Sequence, residues 1–444
     1  MQTSTIKFSQ IEDRIDAEYY KPEYLKIYNN LEKRKGVVLL EDVAKEVVSG
    51  SYIDTYFPKR ALYLRVNNLK EDGFDLSDVK YVDIQYSKVP QKIRVHTNDL
   101  VLGRTGTVGT TLIVPNELDG AVMSQHITKI VPSEKINRFY LMIYLNSRHG
   151  RLQAEKTALG SMQKELTLDA TKNIKVFIPP QSLQQKIEKI VKEAQEKRKL
   201  ADEKYDEAEE ILNKELGLGN LDLSTQKTFE AKFSEAEDRF DPEYYQPKYK
   251  KIKNFLLRKK LTTKPLKSFV KKYNCGFAFP TDIYLEKGIP LLRIKNLKRM
   301  EIDFEGVEFL PDLNEYQEFI VKPGDILISM SGTVGVASLV PANIPKAFVN
   351  QRITSISTEG IDKLYLCLYL NLASINGLMN RETTGGVQKN ITYQDIISVP
   401  VPILSQSLQQ KTSLLIQESF KLRREAKELI DRAKKEVEEM VIGK

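Results

Sequence analysis

Two stretches of the chain place apolar or small residues at alternating steps of four and three. The first runs Ile187, Val191, Ala194, Arg198, Ala201, Tyr205, Ala208, Leu212; the second runs Leu408, Thr412, Leu415, Ser419, Leu422, Ala426, Leu429, Ala433. This is a heptad seam, broken in the first stretch by the charge of Arg198, and nearly every position off the seam is Lys, Glu, Asp or Arg. The pattern predicts two long helices. Neither stretch contains Gly or Pro until Gly217, a natural residue just past a helix end. At about 1.5 Å per residue the first helix reaches roughly 50 Å, too long and too narrow-seamed to stand alone. The two are therefore expected to pack on each other as an antiparallel pair.

Both helices open on the same five residues, Ser182-Leu183-Gln184-Gln185-Lys186 and Ser407-Leu408-Gln409-Gln410-Lys411, each behind prolines (Pro179 and Pro180; Pro400 and Pro402). Ser182 and Ser407 are predicted N-caps. Gln185 and Gln410, three residues on, would complete a capping box.

The rest of the chain repeats with them. Asp13-Arg14-Ile15-Asp16 and Glu18-Tyr19-Tyr20 return as Asp238-Arg239-Phe240-Asp241 and Glu243-Tyr244-Tyr245. Leu64 to Lys70 is answered by Leu292 to Lys298, and Asp99 to Pro115 by Asp325 to Pro341. Tyr144-Leu145-Asn146 matches Tyr369-Leu370-Asn371, and Gln163-Lys164 matches Gln388-Lys389. The offset stays within a few residues of 225 throughout, so the chain is an internal duplication.

Within each copy the periodicity is mixed. Val101-Leu102, 111–114 and 326–328 read as short strands punctuated by Gly and Pro; 16–32, 137–146 and 362–371 read as helices. The fold class is α+β: two similar globular domains, each with a small twisted β-sheet, separated by two long antiparallel coiled-coil helices in a pseudo-two-fold repeat. The boundaries read as a first domain over 1–180, a first long helix over 181–217, a linker over 218–230, a second domain over 231–402 and a second long helix over 403–444.

Composition narrows the function. The 444 residues carry a net charge of +8, which favours a polyanionic partner. No run approaches the ~20 apolar residues of a membrane span, and the N-terminal residues do not read as a signal peptide. Cys275 and Cys367 are unmatched between the copies and read as free thiols of a reducing cytoplasm. His96, His126 and His149 share no ligand spacing with Cys or a carboxylate, so no metal is assigned.

Catalytic motifs are not found. There is no Gly-x-x-x-x-Gly-Lys-Ser/Thr phosphate loop. Gly106-Thr107-Val108-Gly109 and Gly332-Thr333-Val334-Gly335 lie between β-prone runs and read as strand-to-strand turns. Asp241-Pro242-Glu243-Tyr244 departs from the Asp-Pro-Pro-Tyr of amino-methyltransferases at its third residue, and Pro311-Asp312 has no Glu-x-Lys partner for a nuclease. No nucleophile and base recur in both copies.

What does recur is a set of basic and amide side chains: Arg65, Asn67 and Lys70 against Arg293, Lys295 and Lys298; Gln125 and His126 against Gln351 and Arg352; Gln163 and Lys164 against Gln388 and Lys389. Lys and Arg contact phosphates, and Arg, Asn and Gln read guanine or adenine edges. Arg104-Thr105 against Met330-Ser331 differ between the copies and are expected to distinguish two half-sites. The rival reading is a non-catalytic duplicated coiled-coil scaffold for protein assembly, its basic faces merely solvated.

Several phrases together carry a resemblance to a known family. These are Gly288-Ile289-Pro290-Leu291-Leu292-Arg293, then Lys322-Pro323-Gly324-Asp325-Ile326-Leu327-Ile328 leading to the Gly-Thr-Val-Gly turn. Gly385 to Lys389, Val399-Pro400-Val401-Pro402 and the Ser-Leu-Gln-Gln-Lys helix openings complete them. The chain resembles, over nearly its whole length, the DNA-specificity subunit of a type I restriction–modification system. Arg60-Ala61-Leu62-Tyr63-Leu64-Arg65 replaces Gly-Ile-Pro-Leu-Leu-Arg in the first copy. The resemblance implies that each domain reads one half of a split double-stranded DNA target, with the helices fixing the gap. It further implies that two modification subunits carrying S-adenosylmethionine, joined by restriction subunits that use ATP, perform adenine methylation and cleavage. On that reading this chain holds no cofactor and is no enzyme.

Overall fold

A computed structural model describes residues 6, 11, 14–56, 60–83, 85, 89–158, 164–232, 239–258, 261–384 and 389–443. It divides into two compact units, 1–199 with 422–444, and 200–421.

In the first unit, helix α1 (Pro22–Glu32) precedes strands β1 (Val37–Leu39), β2 (Ala44–Ser49), β3 (Ala61–Leu64), β4 (Leu69–Lys70), β5 (Gly73–Phe74) and β6 (Lys80–Val82). Strands β7 (Leu100–Gly103), β8 (Thr111–Ile113), β9 (Val122–Met123) and β10 (Ile127–Pro132) follow. Helices α2 (Arg138–Asn146), α3 (Arg148–Thr157) and α4 (Leu168–Lys172), then β11 (Lys175–Phe177), lead into the long helix α5 (Gln181–Leu216). The second unit repeats the plan with α6 (Pro247–Arg258), β12 (Thr263–Pro265), β13 (Val270–Cys275), β14 (Ile289–Leu292), β15 (Glu308–Leu310), β16 (Ile326–Ser329), β17 (Ala337–Leu339), β18 (Phe348–Val349) and β19 (Ile353–Thr358). Helices α7 (Lys363–Asn371), α8 (Ala373–Arg381) and α9 (Tyr393–Ile397), then β20 (Pro400–Pro402), lead into the long helix α10 (Gln406–Ile442), of which the part from Leu422 on belongs to the first unit.

The duplication extends to the hydrogen-bond ladders. The four-stranded antiparallel sheet runs β2-β10-β7-β8 in one unit and β13-β19-β16-β17 in the other. A three-stranded sheet runs β6-β3-β9 in one and β15-β14-β18 in the other, its last pair parallel in both. Register follows suit, with Ile130 opposite Leu100 and Ile356 opposite Ile326. The substituted run Ala61-Leu62-Tyr63-Leu64 thus folds as the same strand as Ile289-Pro290-Leu291-Leu292. Each unit has several small sheets rather than the single sheet expected.

Helices α2 and α7 anchor each core. Their buried tyrosines donate hydroxyl hydrogen bonds to strand carbonyls at matched places: Tyr140 to Phe177 and Tyr365 to Pro402, each at 2.7 Å, and Tyr144 to Lys175 as Tyr369 to Pro400. A buried phenol without a partner would forfeit a hydrogen bond it makes in water, so these pairings fix the helix against the strand. Asn137 and Asp362 cap these helices by accepting from the second and third backbone N–H groups.

The heptad stretches are single unbroken helices. Within the first unit, Lys186 pairs with Glu436 at 2.8 Å and Lys197 with Glu425 at 2.7 Å. One helix advances as the other recedes, so the two run antiparallel there. Within the second unit, Ser419 donates a buried 2.7 Å hydrogen bond to the Ala201 carbonyl across the same kind of pair. Seam residues Ile187, Val191, Ala194, Ala201, Ala208 and Leu212 are buried, as are Thr412, Ser419, Ala426, Leu429 and Ala433. Arg198, the interruption, reaches out to Asp72 at 3.0 Å. Gly217 ends α5 with φ +69°, the left-handed value its lack of a Cβ permits.

Two expectations need correction. The 16–32 stretch is not one helix: a 3-10 turn, Ala17–Tyr20, stops at Lys21 before Pro22 opens α1. The proline ring disfavours helical geometry in the residue before it. Nor do Ser182 and Ser407 cap the long helices, which begin one residue earlier. The Pro180 carbonyl receives the N–H groups of Leu183 and Gln184, and Ser405 supplies the hydroxyl cap in the second copy. The first glutamine of each pair is the one buried, and it binds the neighbouring helix.

Candidate nucleic-acid interface

Strands β3 and β9 end side by side, and the Ser124 N–H donates to the Leu64 carbonyl at 2.9 Å. Arg65 and Gln125 therefore leave the sheet at one edge. At the same edge the Arg104 N–H donates to the His126 carbonyl, and the Leu166 N–H to that of Arg104. Segments 104–105, 125–126 and 164–166 lie next to one another. Arg151 ties the β7–β8 turn in place, donating to the Val108 carbonyl and the Thr110 hydroxyl and pairing with Glu71 at 2.7 Å. The second unit builds the same edge: Asn350 N–H to Leu292, Met330 N–H to Arg352, Ile391 N–H to Met330 and Gly332 N–H to Lys389. The Gly-Thr-Val-Gly segments are strand-to-strand turns in both units, with φ +69° at Gly106 and +68° at Gly332.

The predicted residues thus converge, but not with equal access. Asn67, Lys70, Lys164, Lys295, Lys298, Gln351, Arg352 and Lys389 are exposed, and Arg65, Gln125, His126 and Arg293 are half-buried. Gln163 and Gln388 lie outside the described residues. Arg65 donates to the Asp78 carboxylate at 2.8 Å, and Arg293 to that of Glu308 at 2.6 Å. Arg65, with Lys80, holds the Asp78 carboxyl below its ordinary range. Such solvent-exposed pairs contribute little to stability, so either arginine can exchange its carboxylate for a phosphate or a base edge.

Arg104, Thr105 and Ser331 differ from the expectation that they face a half-site. The Arg104 side chain is only 13% exposed. It donates to the Leu166 carbonyl at 2.7 Å, the Ser49 hydroxyl at 2.6 Å and the Gln125 carbonyl at 2.9 Å, and pairs with Glu165 at 3.2 Å. Its donors are spent joining segments of its own domain. Thr105 and Ser331 are buried. Their neighbour Met330 makes the second copy apolar where the first is clamped by a guanidinium, so the difference between the copies lies beneath the surface.

Two kinds of residue escaped the sequence reading. Gly50 and Gly276 are matched positions where a Cβ would lie 2.2 Å from the Ser124 carbonyl oxygen and 2.3 Å from that of Val349. Only glycine lets the chain cross this edge so closely. The second kind is aromatic. Tyr52 and Tyr56, 69% and 45% exposed, follow Gly50 above the buried Tyr63. Tyr273, 56% exposed, stacks on Tyr393 with centroids 3.8 Å apart. The aromatic run after Gly50 was a signal for the first pair; the Tyr273 stack joins residues too distant in sequence to foresee.

Among the described residues no group of three or more His, Cys, Asp or Glu is arranged to hold a metal, and no helix is long and apolar enough to cross a membrane. Asp241 accepts from the Tyr244 N–H and pairs with Arg239, so the Asp-Pro-Glu-Tyr phrase is a structural turn.

Comparison with known proteins places these features in context. The family of the type I restriction modification DNA specificity domain matches residues 37–210 and again 258–431. The type I restriction enzyme MjaVIII specificity subunit of Methanocaldococcus jannaschii is 24% identical, over 96% of this chain and 97% of that protein. Among solved structures, the specificity subunit of a type I restriction–modification system from M. genitalium aligns over 90% of this chain and 95% of its own, with 14% identity and a TM-score of 0.41. The HsdS subunit from Thermoanaerobacter tengcongensis aligns over 92% and 97%, with 15% identity and a TM-score of 0.30.

Proposed function

The chain belongs to the type I restriction modification DNA specificity family, and from that membership we propose how its two copies work. It is the non-catalytic, sequence-specific DNA-binding subunit of a type I restriction–modification complex, and the chemistry resides in modification and restriction partners. Each unit reads one half of a bipartite duplex target. Two modification subunits then methylate adenine, one in each half, and the helical segments set the number of unread base pairs between them.

The observation that carries this reading is that one edge, built twice by the same backbone hydrogen bonds, bears different side chains in its two copies. Half-buried His126 stands where the second copy has exposed Arg352, and exposed Asn67 where it has exposed Lys295. A protein that touched DNA only through phosphates would gain nothing from such differences. Exposed Lys70, Lys164, Lys298 and Lys389 supply sequence-independent contacts. Asn67, Gln125, Gln351 and Arg352 have the donor and acceptor groups that read base edges.

The test is selection from a random duplex pool by the chain combined with its modification subunit. Enrichment of two short motifs at a fixed spacing is expected. Exchanging residues 14–180 for another recognition domain should alter one motif alone. Binding that is blind to sequence, or a swap that alters both motifs, overturns the proposal.

A further inference from the structure

Tyr52 stands largely in solvent, yet its backbone is fixed on both sides by one buried residue. The Tyr63 hydroxyl donates to the Ser51 carbonyl at 2.8 Å and accepts from the Ile53 N–H at 3.2 Å. Tyr63 itself lies on β3, two residues before Arg65, and is 2% exposed. A lone exposed aromatic ring needs no explanation. A ring held out on a mount that the core supplies is different, because little ordering remains to be lost when something binds it.

The mount sits at the proposed DNA edge of the first unit. The Ser51 N–H donates to the Met123 carbonyl at 3.0 Å, and the Ser49 hydroxyl donates to the Gln125 carbonyl while accepting from Arg104. Residues 51–56 read Ser-Tyr-Ile-Asp-Thr-Tyr, and their one charged side chain is Asp54. A segment with no Lys or Arg and one carboxylate is unsuited to phosphate. Burying a phenol ring gains free energy only against apolar surface. In a duplex that surface is mainly the faces of the bases, which are closed while the bases stay stacked. An enzyme that modifies a base takes it out of the stack and leaves neighbouring faces open. Aromatic rings beside a cationic track bind such faces.

The second copy keeps the backbone of this crossing and lacks the ring. The Gly276 N–H donates to the Ile353 carbonyl and the Phe277 N–H to that of Val349, each at 3.0 Å, as Gly50 and Ser51 do with Ile127 and Met123. The exposed residue that follows, in the place of Tyr52, is Ala278. Phe277 packs instead within its own unit, its ring centre 5.1, 4.8 and 5.3 Å from those of Phe279, Tyr316 and Phe319. An aromatic platform at this place therefore belongs to the first copy and not to the second.

We infer that Tyr52 stacks on a base face in the half-site read by the first unit, supporting the gap that the target adenine leaves when it is drawn out for methylation. In the other half-site the adenine leaves the stack without such a ring. This rests on the functional reading above.

The test uses the full chain with purified modification subunit, on duplexes already methylated in one half-site so that each adenine is followed separately. Exchange of residues 14–180 identifies the half read by the first unit. Transfer of labelled methyl groups gives the rate, and 2-aminopurine in place of the target adenine, which brightens when unstacked, reports its extrusion. Tyr52→Ala is expected to slow methylation of the first half at least fivefold and to remove most of its 2-aminopurine signal at saturating protein. The second half and the urea midpoint should be unchanged. Tyr52→Phe keeps the ring and loses only the hydroxyl, and should match wild type in both halves. Equal losses in Tyr52→Phe and Tyr52→Ala would assign the effect to a hydrogen bond and overturn the stacking. A Tyr52→Ala chain that extrudes both adenines as wild type does, or that fails equally in both halves, overturns it too. A wild-type complex that methylates neither adenine overturns the functional reading itself.

Discussion

The Gln184 side-chain oxygen accepts a 2.7 Å hydrogen bond from the backbone N–H of Asn137, the residue that caps α2. Its amide nitrogen donates to the Pro179 carbonyl at 3.0 Å, so one buried side chain joins the start of a long helix to the start of a core helix. Gln409 does the same with Asp362 and the Leu404 carbonyl. The Asn137 side chain also donates to Glu188 on the second turn of α5, at 2.7 Å. Each globular core is thereby locked to the long helix that leaves it.

Gln184→Ala should strand the Asn137 N–H and the Pro179 carbonyl in a buried place, at a cost of about 1–3 kcal/mol. Urea unfolding followed by tryptic release of fragments from the first unit measures it. Gln185→Ala, on an exposed neighbour, should stay within about 0.5 kcal/mol of wild type. Equal losses from the two substitutions would refute the clamp.

Lys70 and Arg104 separate DNA contact from structure. Lys70→Ala should leave the unfolding midpoint unchanged, weaken binding to every sequence, and lower the slope of log K against log salt by about one. Arg104→Met leaves the Leu166 carbonyl without its side-chain donor, although the Ser49 hydroxyl still donates to the Gln125 carbonyl, and is expected to cost about 1–3 kcal/mol. Its salt slope should match that of wild type. A reduced slope in Arg104→Met, with stability intact, would show that this guanidinium contacts phosphate.

Helix length and gap length should move together. Deleting residues 194–200 and 422–428 removes one facing heptad from each helix, centred on the Lys197–Glu425 pair, and preserves the seam. At 1.5 Å per residue the loss is about 10 Å, or about three base pairs at 3.4 Å each. The selected target should keep both half-motifs and lose about three base pairs between them. An unchanged gap would dissociate spacing from the helices.

Acid should weaken the first unit through His149. Burial pushes the pKa of this imidazole below its ordinary value, with Glu438 opposing and Arg148 assisting. The folded chain then binds fewer protons than the unfolded one just below about pH 6.5, so stability is complete above that pH and falls as pH drops through it. The urea midpoint of wild type should fall further between pH 7.5 and 5.5 than that of His149→Gln. Parallel losses in the two proteins would assign the acid sensitivity elsewhere.

The duplication, the two long helices, their seam and the strand-to-strand nature of the Gly-Thr-Val-Gly turns were all legible in the sequence, because each is a matter of local periodicity or self-similarity. Identical spacing forces identical local geometry, whatever lies beyond. The segments that meet at the proposed DNA edge could also be named, since exposed polar residues recurring in loops leave a trace in a repeat. Which of their side chains face solvent could not. Arg104 looks like its basic neighbours on paper, yet Ser49, Gln125, Glu165 and Leu166 fold back to consume its donors. Those partners lie up to 62 residues away, and burial and hydrogen bonding at that range are set by packing. The glutamines of the helix openings show the same division. Their position marked a helix start, but the partner that decides their role, the N–H of a helix-capping residue 47 residues earlier, comes within reach only once the two helices have met.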